Sequence, residues 1–180
     1  MVILSKRYNS EVEKMANVTN WMGRYRSLIH ALTRYSNSFA RIASQKINWG
    51  EGIELSAWEW QLLEHIIEND SQCENMLSIA NSLGIAQSTI SKYTKSLIRY
   101  GLVEKYQYKN NKKSIVLRAT EKGFKLYETG VANDMHQHFE FLFTLLENIP
   151  DEVLDQFTHA IDAYSDKRIF TDDNDELIKL

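Results

Sequence analysis

Proline occurs once in this 180-residue chain, at Pro150, and only seven glycines accompany it. An all-β fold needs many tight turns, and turns draw heavily on those two residues. A chain this poor in both is left with long helices and few reversals, so a mostly α fold is expected. Its apolar share, 43%, is enough for one ordinary core or two small ones.

The helices can be placed by their periodicity and their ends. Trp21, Tyr25, Leu28, Leu32, Tyr35, Phe39 and Ile42 alternate spacings of four and three, the seam along which one helix packs on another. A helix over 20–47 would run roughly 42 Å at 1.5 Å per residue, more than one small core covers, which points to a second subunit. "LSAWEW", residues 55–60, is a helix start: Ser56 caps, Glu59 completes a capping box, and Leu55 with Trp60 can form a hydrophobic staple. That helix is expected to reach about Asn69 with Trp60, Leu63 and Ile67 inward. A short helix over 75–83 ends at Gly84 and another over 86–100 ends at Gly101.

After Gly101 the period changes to that of strands. "LVEKYQY" and "KSIVLRA" flank "KNNK", so 102–118 read as a β-hairpin with a basic tip. Helical spacing resumes after Thr120, a plausible N-cap, and continues through Tyr127, Val131, Met135, Phe139, Leu142 and Leu146 to about Asn148. Pro150 and Asp151 restart a last helix with Val153, Leu154, Phe157 and Ile161 inward, followed by an acidic tail, "TDDNDEL".

Charge is divided sharply along this framework. Lysine plus arginine minus acids gives +6 over 1–50, −7 over 51–84, +7 over 85–118 and −9 over 119–180, within a total of −3. Exposed charges are screened over about 10 Å at moderate salt, so a phosphate near the third block meets that block and not the total. No acid occurs between Glu74 and Glu104.

Helix, glycine turn, helix and basic hairpin make a winged helix-turn-helix. Ala80 permits a close helix crossing, and Ile85, Ile90, Leu97 and Ile98 are expected to face the core. The outward positions of the second helix are then Gln87, Ser88, Thr89, Ser91, Lys92 and Lys95. Neutral hydrogen-bonding side chains suit base edges in a major groove and lysines suit phosphates. Lys109, Asn111, Lys112 and Lys113 add a cationic wing tip. The same face can instead be a solvated surface, or a module for protein contacts without specific DNA binding.

Taken in order, the capping-box helix, "SIANSLGIAQSTISKYTKSLIRYGLVEK", the basic hairpin, "LRATEKG" and the long following helix resemble the MarR (multiple-antibiotic-resistance regulator) family of bacterial transcription factors, over about 20–165. The resemblance implies a homodimer whose first and last helices interlock, with the recognition helix in the major groove and the wing on the backbone or minor groove. It also implies a repressor released by a ligand, with no catalytic role and no cofactor. Two places depart from the family pattern. Asn111 and Lys113 stand where an Asp-x-Arg pair is common, and lysine lacks the planar fork that arginine uses in a narrow groove. Ala86 stands where a serine or threonine often caps the recognition helix. Because the family often binds small aromatic acids, the resemblance further suggests a ligand site at His30, Arg34, Tyr35, Trp58 and Trp60, with Arg34 on the carboxylate; the residues by themselves read more readily as an aromatic core with a solvated Arg34.

The expected division is an N-terminal extension over 1–19, a dimerisation helix and connection over 20–54, the winged helix-turn-helix over 55–119, and C-terminal dimerisation helices with the acidic tail over 120–180. Other chemistry is poorly supported. His136 and His138 diverge on a helix, and a zinc site there would need Asp134, Glu140 or more distant partners. Cys73, the one cysteine, lies between Asp70 and Glu74, where negative charge opposes thiolate formation. There is no nucleophile motif or glycine-rich phosphate loop. The start, "MVILSKRY", is too short in apolar residues for a signal peptide, and no run of about twenty uncharged apolar residues follows, so a cytoplasmic location is expected.

Overall fold

The computed structural model describes residues 20–131 and 136–171, without the side chains of 111–113, 136–138 and 166–171. The N-terminal extension 1–19 and the tail beyond Thr171 lie outside the described residues. The chain forms two compact units, Met1–Ser44 and Gln45–Leu180.

In the first unit a 3-10 turn at Gly23–Tyr25 leads into helix α1, Arg26–Ala43. The helix stops before the expected residue 47, because the chain beyond it turns: "NWGEG" (48–52) carries two positive-φ glycines and brings back strand β2 (Glu54–Leu55) to pair antiparallel with β1 (Ile47–Asn48). Leu28, Tyr35 and Ile42, on the expected seam of α1, are exposed in the single chain, and Tyr35 stacks with Phe39 at 6.2 Å.

The second unit builds its core around helix α2, Ala57–Glu68. Its capping box forms as expected: Glu59 N donates to Ser56 Oγ at 3.3 Å, and Ser56 N donates back to Glu59 Oε2 at 2.7 Å. Trp60, Leu62, Leu63 and Ile66 are buried, while Ile67 is half-buried at the core's edge. Helix α3, Met76–Ser82, is capped by Asn75 Oδ1, which accepts from Leu77 N and Ser78 N, each at 3.0 Å. Gly84, at φ 63°, makes the left-handed turn, and Ile85 N closes it on Ala80 O at 3.0 Å. Helix α4, Gln87–Arg99, follows.

Ile90 and Leu97 on α4 are fully buried, but Ile98 is 38% exposed, contrary to expectation. At 100° per residue it falls at the margin of the inward stripe. Thr94 takes the inward place and satisfies its hydroxyl on Ile90 O at 2.8 Å. The hairpin comprises β3, Val103–Tyr108, and β4, Asn111–Ala119, antiparallel from Val103↔Ala119 to Gln107↔Ile115, with a bulge at Gln107/Tyr108. Asn75 bridges Val116 as a short third edge.

Thr120 caps α5, Glu121–Gly130, by accepting from Gly123 N at 3.0 Å. Then come α6, His136–Leu146, and α7, Asp151–Thr171. The expected continuous helix from Thr120 to Asn148 crosses 132–135, outside the described residues. Val153 and Phe157, expected inward, are exposed in the single chain, as are Phe141, Leu142 and Leu145. No helix among the described residues is long and apolar enough to cross a membrane.

Candidate nucleic-acid interface

Helix α4 is held by Ile90, Thr94 and Leu97 below and by the glycine turn at its start, which leaves its opposite face free. Gln87, Ser88, Lys92 and Lys95 are exposed along it; Ser91 and Thr89 are half-buried. Successive 100° steps place Gln87, Ser88, Ser91 and Lys95 within one arc, with Lys92 beside it and Thr89 at the far edge. The six expected positions are therefore five clustered residues and one marginal residue, Thr89. Ala86 occupies the N-cap without a side-chain cap bond, as its methyl dictates.

Beside this face stands the hairpin. Lys105 and Lys109 are exposed on it, and Asn111, Lys112 and Lys113 lie at the start of β4 with side chains outside those described. Tyr106 and Tyr108, 49% and 51% exposed, were not singled out by the sequence. The period-2 alternation of β3 was the available signal. Tyr106 Oη donates to Glu104 Oε2 at 2.6 Å, and this bond, with the carboxylate's charge, raises the phenol's pKa. Arg118 is the other unanticipated residue. On β4 it is the register partner of Glu104 on β3, and its Nη2 donates to Asp70 O at 3.0 Å.

Two further interactions fix the scaffold. Glu59 is buried yet accepts from Ser56 N and Oγ and pairs with Lys46. Burial alone pushes its carboxyl pKa up, but Lys46 and the Ser56 bonds outweigh it, and the net shift is downward. Tyr127 Oη reaches Glu68 at 3.2 Å and Glu64 at 3.4 Å; burial and the two carboxylates push the phenol to about 12.

The suggested ligand residues are placed as follows. His30 and Arg34 line a shallow polar groove on α1 with Thr33, Asn37, Ser38 and Arg41, and Tyr35 is exposed on the same helix. Trp58 and Trp60 belong to the second unit. Trp60 is 3% exposed and stacks on Trp49 at 3.8 Å and on Tyr127 at 5.8 Å, so it is a core residue and offers a ligand no open surface. Among the described residues no group of three His, Cys, Asp or Glu is placed to hold a metal ion.

Residues 55–123 match the family of winged helix DNA-binding domains. No curated protein sequence matches the chain. Its fold is similar to that of solved regulators. BldR from Sulfolobus solfataricus shares 17% identity, with 79% of this chain and 96% of that one covered at a TM-score of 0.60. A MarR/EmrR family regulator from Acinetobacter shares 18%, covering 79% and 94% at 0.57. MepR from S. aureus, solved as a DNA complex, shares 18%, covering 75% and 93% at 0.57. The chain carries a winged helix domain within the MarR-type fold.

Proposed function

We propose, from this winged helix in a MarR-type fold, that the chain is a homodimeric, sequence-specific DNA-binding regulator that represses transcription until a small ligand releases it. The observation that carries the reading is the exposed face of α4, five hydrogen-bonding or cationic side chains with no acid, beside a basic hairpin. A merely solvated helix face mixes glutamate with lysine, as i,i+4 pairs favour. In the proposed mode Gln87 and Ser88 meet base edges in the major groove, Lys92 and Lys95 meet flanking phosphates, and Lys109, Asn111, Lys112 and Lys113 anchor the wing.

Dimerisation rests on open apolar surface. Leu28, Tyr35 and Ile42 on α1, and Phe141, Phe143, Leu145, Val153 and Phe157 on α6 and α7, are exposed in one chain. Exposed apolar side chains gathered along helices are the mark of a contact surface. A two-fold dimer would set its recognition helices about one DNA turn, roughly 34 Å, apart and favour a palindromic site. For release, Arg34 and His30 supply a cationic, hydrogen-bonding patch that suits an aromatic carboxylate. Such a ligand acts only if it prefers the DNA-incompetent dimer.

The test is to incubate the purified protein with sheared DNA from its own genome and sequence the retained fragments. Enrichment of fragments sharing an inverted repeat supports the proposal. Retention without any shared sequence, or none at all, would leave a module for protein contacts as the better reading.

A further inference from the structure

The turn between α2 and α3 is gripped from three sides. From α2, His65 Nε2 lies 2.6 Å from Glu74 Oε2. From α3, Ser78 Oγ donates to Glu74 Oε1 at 3.1 Å. From the wing comes Arg118, whose Nη2 donates to Asp70 O at 3.0 Å, lies 3.3 Å from Asp70 Oδ2, and approaches Cys73 Sγ to 3.5 Å. Two residues before Arg118, Val116 bridges Asn75, the residue that caps α3. Cys73 itself sits at φ 50°, ψ 44°, a left-handed backbone unfavourable for a residue with a Cβ, which persists where surrounding interactions over-determine it.

We infer that Arg118 is a positioning residue that fixes the wing against the helix-turn-helix, so that the lysines of the wing and the polar face of α4 meet one duplex together. This rests on the DNA-binding reading above. A two-stranded hairpin is at best marginally stable alone and takes its orientation from what it is tied to. Val103 and Leu117 bury its base, the Asn75 bridge adds an edge, and Arg118 ties β4 to a turn 48 residues earlier. A lysine on a freely pivoting hairpin must be ordered when DNA binds, and that ordering subtracts from affinity; a hairpin fixed in advance avoids it. Arg118 thus contributes to binding without touching DNA. Its removal should weaken binding while leaving the number of phosphates neutralised unchanged.

The experiment uses the full chain and an enriched genomic fragment. Affinity for that fragment is measured over a salt series for wild type, Arg118→Ala, Asp70→Ala and Lys95→Ala, with amide exchange recorded on the free proteins. Arg118→Ala should lower affinity by about tenfold, the worth of one charged hydrogen bond, at an unchanged salt slope. Amides of 103–108 and 114–119 should exchange faster while those of α4 do not. Asp70→Ala keeps the main-chain acceptor and should show a smaller loss of the same kind. Lys95→Ala should instead lower the slope, by about 1 for each phosphate no longer neutralised.

Wild-type affinity and exchange in Arg118→Ala would overturn the inference. So would a loss with a reduced slope, which would mean that Arg118 binds phosphate itself. If Arg118→Ala does not fold, Asp70→Ala decides: wild-type affinity and hairpin exchange in it overturn the inference, and the weaker affinity at constant slope supports it. Should wild-type protein retain no fragment, the DNA-binding reading fails by itself, and the exchange comparison still shows whether Arg118 holds the hairpin.

Discussion

The indole of Trp60 lies nearly flat on that of Trp49, with centroids 3.8 Å apart and 13° between the planes. Gly130, at the end of α5, backs on to the same ring: a Cβ there would come within 2.2 Å of Trp60 Cη2. A large buried ring cannot yield as a flexible side chain does. Gly130→Ala should therefore destabilise the second unit by about 1–3 kcal/mol, the usual cost of overpacking, despite alanine's better helix propensity. Chemical denaturation of the two proteins measures this directly.

Glu59 sets an acid limit on stability. Its carboxyl pKa is lowered in the folded chain, so the stabilisation it gives is present above the unfolded value of 4.5 and is lost as pH falls through the lower folded value. Glu59→Gln keeps a capping-box acceptor but gives up the charge that pairs with Lys46, and should cost about 1 kcal/mol near neutrality. The gap between the melting temperatures of wild type and variant should close as the medium is acidified below about pH 4. A gap that stays constant with pH would mean that Glu59 acts by packing alone.

Ala86 leaves the start of α4 without a side-chain cap. Ala86→Ser supplies the missing acceptor and should stabilise the fold by about 1 kcal/mol, visible as a higher denaturation midpoint at unchanged slope.

The open apolar seam of α1 predicts that the chain exists as a dimer. Leu28→Asp combined with Leu32→Asp would bury unpaired charge at that seam and should give monomer in sedimentation. Wild-type protein sedimenting as a folded monomer at micromolar concentration would defeat the dimer.

Gln87 and Lys109 should fail in different ways. Gln87→Ala should cost about 1–3 kcal/mol on the enriched site and relax preference at one base position per half-site, with little change in salt dependence. Lys109→Ala should weaken enriched and scrambled DNA alike and lower the salt slope by up to about 2 in a dimer. Reversed signatures would mean that the wing reads bases.

Much of this is legible in the sequence because local chemistry decides it. Ser56 and Glu59 announce a capping box, Gly84 a left-handed turn, and Thr120 a cap, and each needs only neighbours within four residues. The recognition face follows from counting outward from Ile90 and Leu97. What the sequence hides depends on distant partners. Trp60 reads as inward from its place on α2, but the rings that cover its faces, Trp49 and Tyr127, lie 11 residues before it and 67 after it. A helix reaching residue 47 simply extends the seam that ends at Ile42; the glycine turn after Asn48 instead returns the chain to pair Ile47 with Leu55. Arg118 draws no notice because nothing near it in sequence shows that its guanidinium reaches Asp70.

The central claim, recognition of a specific duplex through α4 and the wing, is tested most directly by one titration of wild-type protein. Its affinity for an enriched genomic fragment and for the same fragment scrambled is followed from low to physiological salt. The account predicts that both affinities fall steeply as salt rises, and that the enriched fragment stays tighter by about a thousandfold or more at physiological salt. Equal affinity for the two sequences across the series, or binding that does not respond to salt, would contradict it.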